Sequence, residues 1–214
     1  MTRTDIINKL ISDNCYDSYL EIGVPDPKRN YEKILCKHKE CVDPLLDDKF
    51  ERFSLEDSHR WLTYRMTSDE MFKKMPEEKK YDIIFIDGLH LEDQVDKDIF
   101  NSLKHLKENG YIVVHDCLPK CELHQVEDRK TDIWNGSVWK SMPKLSSYGI
   151  KYLTVDADYG CGIIQYGKMD VLPEPSKYTW KDFAESRDIL MHVVSEKYFM
   201  NTPASKLFDN MIWR

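Results

Sequence analysis

Four polar residues near the middle of the sequence could do chemistry together: Asp87 and His90 in Ile86-Asp-Gly-Leu-His90, then His115 and Asp116 directly after Val114. Each pair follows a run of apolar, mostly β-branched residues, Ile83-Ile-Phe-Ile86 and Ile112-Val-Val114. If these runs are neighbouring strands, the carboxylates of Asp87 and Asp116 end side by side. Carboxylate oxygens suit hard divalent cations such as Mg²⁺ or Mn²⁺, and an imidazole ligand is more natural for Mn²⁺, Fe²⁺ or Zn²⁺ than for Mg²⁺. Asp87, His115 and Asp116 are therefore the candidate metal ligands. His90 follows Asp87 by three positions, and an imidazole with an ordinary pKa of about 6.5 can take a proton from a substrate hydroxyl near neutral pH. The plainer alternative makes His90 a helix cap and His115 a packed residue of the sheet edge.

A second group lies upstream: Glu21 and Gly23, Asp43, and Ser68 with Asp69. Each stands at or just after the end of an expected strand, where open parallel sheets bind their ligands. A single short polar residue there is most often a cap or a turn former. Recurrence at successive strand ends is the more informative signal. Gly23 would let a ligand approach the backbone closely. The G-x-G-x-x-G fingerprint of dinucleotide sites is missing, and Val24-Pro-Asp-Pro27 stands in its place. That disfavours NAD and leaves room for a nucleoside without a pyrophosphate. Asp43 is placed to accept hydrogen bonds from two ribose hydroxyls, or else is a turn aspartate before Pro44.

Further candidates flank these. Trp134-Asn-Gly-Ser-Val-Trp139 sets two tryptophans around an Asn-Gly turn, either as a wall over the site or as loop packing. Asp156, Asp158 and Tyr159 could face the same mouth. The pairs Cys36/Cys41 and Cys117/Cys121 have a loose zinc-like spacing, but Cys41 falls inside an expected strand, so buried free thiols are the better reading.

These residues need a scaffold. Ile6, Ile7, Leu10 and Ile11 form the apolar stripe of a helix over 4–14. Strands are expected at 18–23, 40–43, 62–66, 81–87 and 111–114. The run from Leu91 to Leu106 has a helical stripe and Asn109-Gly110 as its C-terminal cap, which makes a βαβ unit with the strands on either side. Thr67-x-x-Glu70 and Thr179-x-x-Asp182 are capping boxes, the latter opening a helix to about Tyr198. Strands 150–155 and 161–166 form an antiparallel hairpin about Asp158-Tyr-Gly160. The expected architecture is one α/β domain over 1–214, with its core at about 15–167 and a helical C-terminal extension at about 168–214.

Composition bounds the partners. The 214-residue chain carries a net charge of −7, which argues against broad nucleic-acid or anionic-membrane binding. No apolar run is long enough to span a bilayer, no signal peptide opens the chain, and six cysteines are too few for a disulfide scaffold, so a cytoplasmic protein is expected. Leu207, Phe208, Met211, Ile212 and Trp213 could cover the core or a second copy in a homo-oligomer.

Taken in order, Tyr19-Leu-Glu-Ile-Gly23, Cys41-Val-Asp-Pro44, Met66-Thr-Ser-Asp69, Tyr81-Asp-Ile-Ile-Phe-Ile-Asp-Gly-Leu-His90 and Gly110-Tyr-Ile-Val-Val-His-Asp-Cys117 resemble the successive motifs of class I S-adenosylmethionine-dependent methyltransferases. The nearest likeness is to the small bacterial-type group with an I-D-G-x-H element followed by V-H-D. The resemblance implies a Rossmann-like seven-stranded, mostly parallel sheet with helices on both faces and an antiparallel last strand. It implies that Glu21 and Gly23 contact the methionine part of the cofactor, that Asp43 holds the ribose, and that Ser68 and Asp69 lie beside the adenine. Asp87 stands where related metal-dependent O-methyltransferases have an acidic residue at the site. His90 stands at the place of a possible base, and His115-Asp116 replaces an acidic pair. The implied reaction is O-methylation of a small polar acceptor, such as a sugar or a secondary metabolite. A non-catalytic binding or partner module on the same fold is the alternative.

Overall fold

The computed structural model describes residues 1–46, 60–165 and 177–209. Its centre is an eight-stranded sheet: β1 (Ser18–Ile22), β2 (His38–Val42), β3 (Arg60–Tyr64), β4 (Tyr81–Ile86), β5 (Leu106–Val114), β6 (Tyr152–Val155), β7 (Cys161–Gln165) and β8 (Val193–Val194). The spatial order is β3-β2-β1-β4-β5-β7-β6-β8. β7 runs antiparallel to both its neighbours, and every other pairing is parallel.

The apolar runs explain the centre. All six residues of β4 are buried. Ile83 and Phe85 enter one core layer, beneath Ile6, Ile7, Leu10 and Ile11 of helix α1 (Arg3–Asn14). Ile84 and Ile86 enter the other, against Met71 and Phe72 of α2 (Ser68–Lys74) and Val95, Ile99 and Leu103 of α3 (Glu92–Lys104). A strand apolar on both faces can only be central, covered by helices on each side. Both expected capping boxes are formed: Glu70 N donates to Thr67 Oγ1 at 3.2 Å, and Thr67 N donates to Glu70 Oε2 at 3.0 Å. Thr179 caps α5 (Trp180–Leu190) in the same way.

The structure corrects several expectations. The sheet has eight strands, not seven, because the helix expected to reach Tyr198 ends at Leu190. His192 takes a positive φ of 47°, the two-residue β8 pairs with β6, and Ser195 caps a new helix, α6 (Glu196–Asn201). A two-residue strand has no hydrophobic period to read. Helix α3 stops at Lys104, and Leu106 to Gly110 already belong to β5, so Asn109-Gly110 is no helix cap. The register shifts between Tyr81 and Ile83, and a Cβ at Gly110 would meet the Asp82 carbonyl oxygen at 2.6 Å. Close approach at a bulge therefore selects this glycine. Tyr31–Lys33 forms a single 3₁₀ turn. A last short helix, α4, spans Ser141–Lys144.

All the cysteines are free thiols among the described residues. Leu207 and Phe208 are buried in the α1 layer, while Met211, Ile212 and Trp213 lie outside the described residues, as does most of the 45–62 stretch. Among the described residues, no helix is long and apolar enough to cross a membrane.

Candidate active site

The parallel register brings the strand ends level. Ile22 pairs with Ile86, and Ile86 with Val114. The ladder then runs one residue beyond each strand: Asp87 N donates to Ile22 O at 2.8 Å, His115 N to Ile86 O at 3.0 Å, and Gly23 N to Val42 O at 3.0 Å. The backbone thus fixes Gly23, Asp87 and His115 in one row. A cavity of about 810 Å³ opens above this row, within the range of small-molecule sites. Gly23, Asp43, Ser68, Asp69, Asp87, His90, His115 and Asp116 all line it.

Asp87, His90, His115 and Asp116 form one cluster. His115 Nδ1 lies 3.2 Å from Asp87 Oδ1 and 3.2 Å from Asp116 Oδ2. His90 Nε2 lies 3.4 Å from Asp87 Oδ1, and its Nδ1 lies 3.4 Å from Asp116 Oδ2. His90 Nδ1 also lies 3.2 Å from the Trp134 carbonyl, which can only accept, so Nδ1 carries the proton. The Trp134 indole stacks on the His90 ring at 5.0 Å. Asp116 has φ of 62°, a conformation that aspartate tolerates better than most residues, and its Oδ1 accepts from the buried Asn135 Nδ2 at 2.8 Å.

The charges are matched within the cluster. Burial works against the imidazolium of His115, but Asp87, Asp116 and Asp158 outweigh it and hold the pKa well above its ordinary value. Burial likewise opposes His90, and Asp87 with Asp116 raises it. Burial would push the Asp87 carboxyl up, yet His115, His90 and Arg3 hold it well below the usual carboxylate range.

This bears on a metal. Asp87, His90 and Asp116 each offer a ligand atom within 4.8 Å of the others, a spacing a metal could use. The donor set as it stands does not fit a divalent ion. Asp87 Oδ2 is bonded to Arg3 Nη1 at 2.5 Å, Asp116 Oδ1 accepts from Asn135, and the two remaining oxygens face imidazole nitrogens. An incoming cation would have to displace protons that already balance the carboxylates.

The other expected residues divide. Asp43 accepts from Val24 N at 2.8 Å and Leu45 N at 2.7 Å, which leaves lone pairs of both oxygens for a ligand. Gly23 has φ of 88°, and a Cβ there would overlap the Asp87 carbonyl oxygen, so the neighbouring strand end demands glycine here. Ser68 and Asp69 open α2 at the cavity wall. Glu21 does not line this cavity. It is buried behind it, 3% exposed, and accepts from Tyr19 OH and Asn30 Nδ2. It faces a smaller chamber of about 400 Å³ on the far side of Arg3. Asp158 reaches the cluster, with Oδ1 3.7 Å from His115 Nε2, and Tyr159 lines the cavity. Asp156 turns away to pair with Arg187 at 2.9 Å. Of the two tryptophans, Trp134 walls the site and Trp139 is core.

Three further residues at the site carry no clear sign in the sequence. Arg3 contacts both Asp87 and Asp158. Asp98, buried and lining the cavity, accepts from Ser68 Oγ at 2.6 Å and Gln94 Nε2 at 3.2 Å, and burial pushes its carboxyl up to about 6. An acid on the apolar stripe of α3 is the one signal that could have found it. Asn135 is wholly buried beside Asp116.

Residues 28–117 match the model of a methyltransferase domain family. No curated protein sequence matches the chain. Among solved structures, the chain is similar to an O-methyltransferase from Bacillus cereus in complex with SAH, at 12% identity and a TM-score of 0.57, covering 78% of this chain and 82% of that one. It is also similar to an SAH-bound methyltransferase from Podospora anserina, at 18% identity and a TM-score of 0.53, covering 75% and 76%. The family match over residues 28–117 and the fold agree: this stretch is similar to a methyltransferase domain, and the chain has the fold of those two methyltransferases.

Proposed function

We propose that the protein transfers a methyl group from S-adenosylmethionine to a hydroxyl oxygen of a small polar molecule, of the sugar or secondary-metabolite kind. One observation carries this reading: the candidate nucleoside-binding residues Asp43, Ser68 and Asp69 and the proton-handling cluster of Asp87, His90 and Asp116 line a single cavity. Its volume of about 810 Å³ leaves room for an acceptor beside a nucleoside. The fold is the one on which the Bacillus and Podospora proteins hold SAH.

The bound cofactor would supply an already activated methyl group, so this chain has to position the acceptor, exclude water and remove one proton. Trp134, stacked on His90, covers the cluster from one side. The Nδ1–H bond of His90 to the Trp134 carbonyl leaves Nε2 as the basic atom. His90 Nε2 is placed to take the acceptor O–H proton as the acceptor oxygen would receive the methyl group that the bound cofactor would supply. Asp87 and Asp116 then hold the imidazolium by charge. Arg3 and His115 keep Asp87 ionised throughout. Gly23 shapes the cavity floor through its backbone, and Glu21 lies buried behind it.

Calorimetric titration with S-adenosylmethionine and, separately, NAD tests the reading. Expected is dissociation in about the micromolar range for the former alone, weakened at least about tenfold in Asp43→Ala. Absence of S-adenosylmethionine binding overturns it and leaves a partner module on this fold.

A further inference from the structure

We propose that Arg3 is the resident cation of this site: its guanidinium, delivered by helix α1, holds Asp87 and Asp158 in the role a divalent ion would otherwise play, so that the acidic cluster stands without a metal. This role is one of charge and geometry, and it is the same whatever the methyl acceptor is.

Arg3 makes a built contact rather than a surface pairing. Nη1 donates to Asp87 Oδ2 at 2.5 Å, Nε to Asp158 Oδ2 at 2.9 Å, Nη2 to Asp158 Oδ1 at 3.4 Å, and the backbone N–H also donates to Asp158 Oδ2 at 2.9 Å. The planar guanidinium thereby bridges two carboxylates from distant parts of the chain, which a compact ammonium could not do with the same geometry. The side chain is 28% exposed, against 19% for Asp87 and 17% for Asp158. Its position follows from packing. Thr2 caps α1, and Ile6, Ile7, Leu10 and Ile11 anchor the helix in the core one to two turns further on. On the other side, Asp158 sits in a tight hairpin turn with φ of 46°, followed by Tyr159 at 62° and Gly160 at 88°. Both partners are thus held by their own elements.

A divalent ion ligated by Asp87 Oδ1 would lie about 2.0–2.6 Å from that oxygen, depending on the metal. The guanidinium on the other oxygen of the same carboxylate would then face it with like charge across a single carboxylate. One carboxylate would then divide its single negative charge between two cations. The Asp87–His90–Asp116 spacing is therefore metal-like in geometry and excluded in charge while Arg3 is in place.

The test is a Mn²⁺ titration followed by electron paramagnetic resonance of the free ion. The wild-type protein should bind Mn²⁺ no more tightly than about 1 mM. Arg3→Met, which keeps the side-chain bulk and removes the charge, should tighten binding at least tenfold, and adding Asp87→Asn should abolish the gain. Arg3→Lys should stay as weak as wild type. Micromolar Mn²⁺ binding by the wild-type protein overturns the proposal and needs no variant to fold. An unchanged affinity in a folded Arg3→Met, judged by its thermal melt, overturns it as well. A merely structural role for Arg3 would lower stability without creating a metal site.

Discussion

Arg3 Nη1 and Asp87 Oδ2 are in contact at 2.5 Å although 84 positions separate them in the chain. The sheet ladder fixes the backbone of Asp87, but it does not choose a rotamer. Arg3 takes one carboxylate oxygen and so turns the other toward His90 and His115. The first helix is in this sense a part of the site, and its apolar stripe is what keeps the site's cation in position.

The protonation of His90 should be visible in the pH profile. Burial lowers its pKa, but Asp87 and Asp116 together raise it above the ordinary value, so the basic form is populated on the alkaline side. Methyl transfer should rise with pH through that limb. Asp116→Asn removes one of the raising charges and suits the positive φ at this position. It should move the limb to lower pH by about one unit. His90→Ala should lower turnover by about 10²–10⁴ and remove the limb altogether. A limb that survives in His90→Ala would assign it to another group.

Much of this site is legible in the sequence. The β-branched runs give β4 and β5 their central places, and the two polar residues after each run fall at the cavity because parallel strands end level. Capping boxes at Thr67 and Thr179 are local in sequence and can be read for that reason. The eighth strand cannot, since Val193–Val194 is too short to show a period. Arg3 is hidden as well, because an ion pair across 84 positions leaves no local pattern. Glu21 misleads in the opposite direction. Its place at a strand end suggests the cavity, but strand alternation sends its side chain toward Tyr19 and Asn30 instead.

The Asn-Gly turn between the tryptophans should prove to be a brace for His90. Gly136 has φ of 60°, and a Cβ there would overlap the His90 carbonyl oxygen. The same carbonyl accepts from Ser137 N at 3.0 Å, and Ser137 Oγ in turn accepts from Glu92 N at 2.8 Å at the start of α3. Gly136→Ala should destabilise the fold by about 1–3 kcal/mol through backbone strain and displacement of this segment. It should also reduce turnover, because His90 moves with its own carbonyl. A stable Gly136→Ala protein of full activity would show that the loop does not position the base.

Glu21 should leave its mark on stability rather than on catalysis. Burial is the main reason that its carboxyl is pushed up to about 8, from an ordinary value of 4.5. The folded protein therefore keeps a proton there that the unfolded chain has lost. Stability must then fall as pH rises from about 4.5 toward about 8, because the folded state is the one binding more protons in that window. Glu21→Gln carries no titrating proton and can still accept from the Tyr19 hydroxyl. Its melting temperature should fall less steeply than that of the wild-type protein across the window. For a chain of this size, a difference of 1 kcal/mol moves the midpoint by about 2–4 °C, so the variant should melt at least about 2 °C higher relative to wild type at pH 9 than at pH 5. Parallel melting curves for the two proteins would mean that Glu21 is ionised in the folded state and that Asn30 and Tyr19, which both donate to it, suffice to hold the charge.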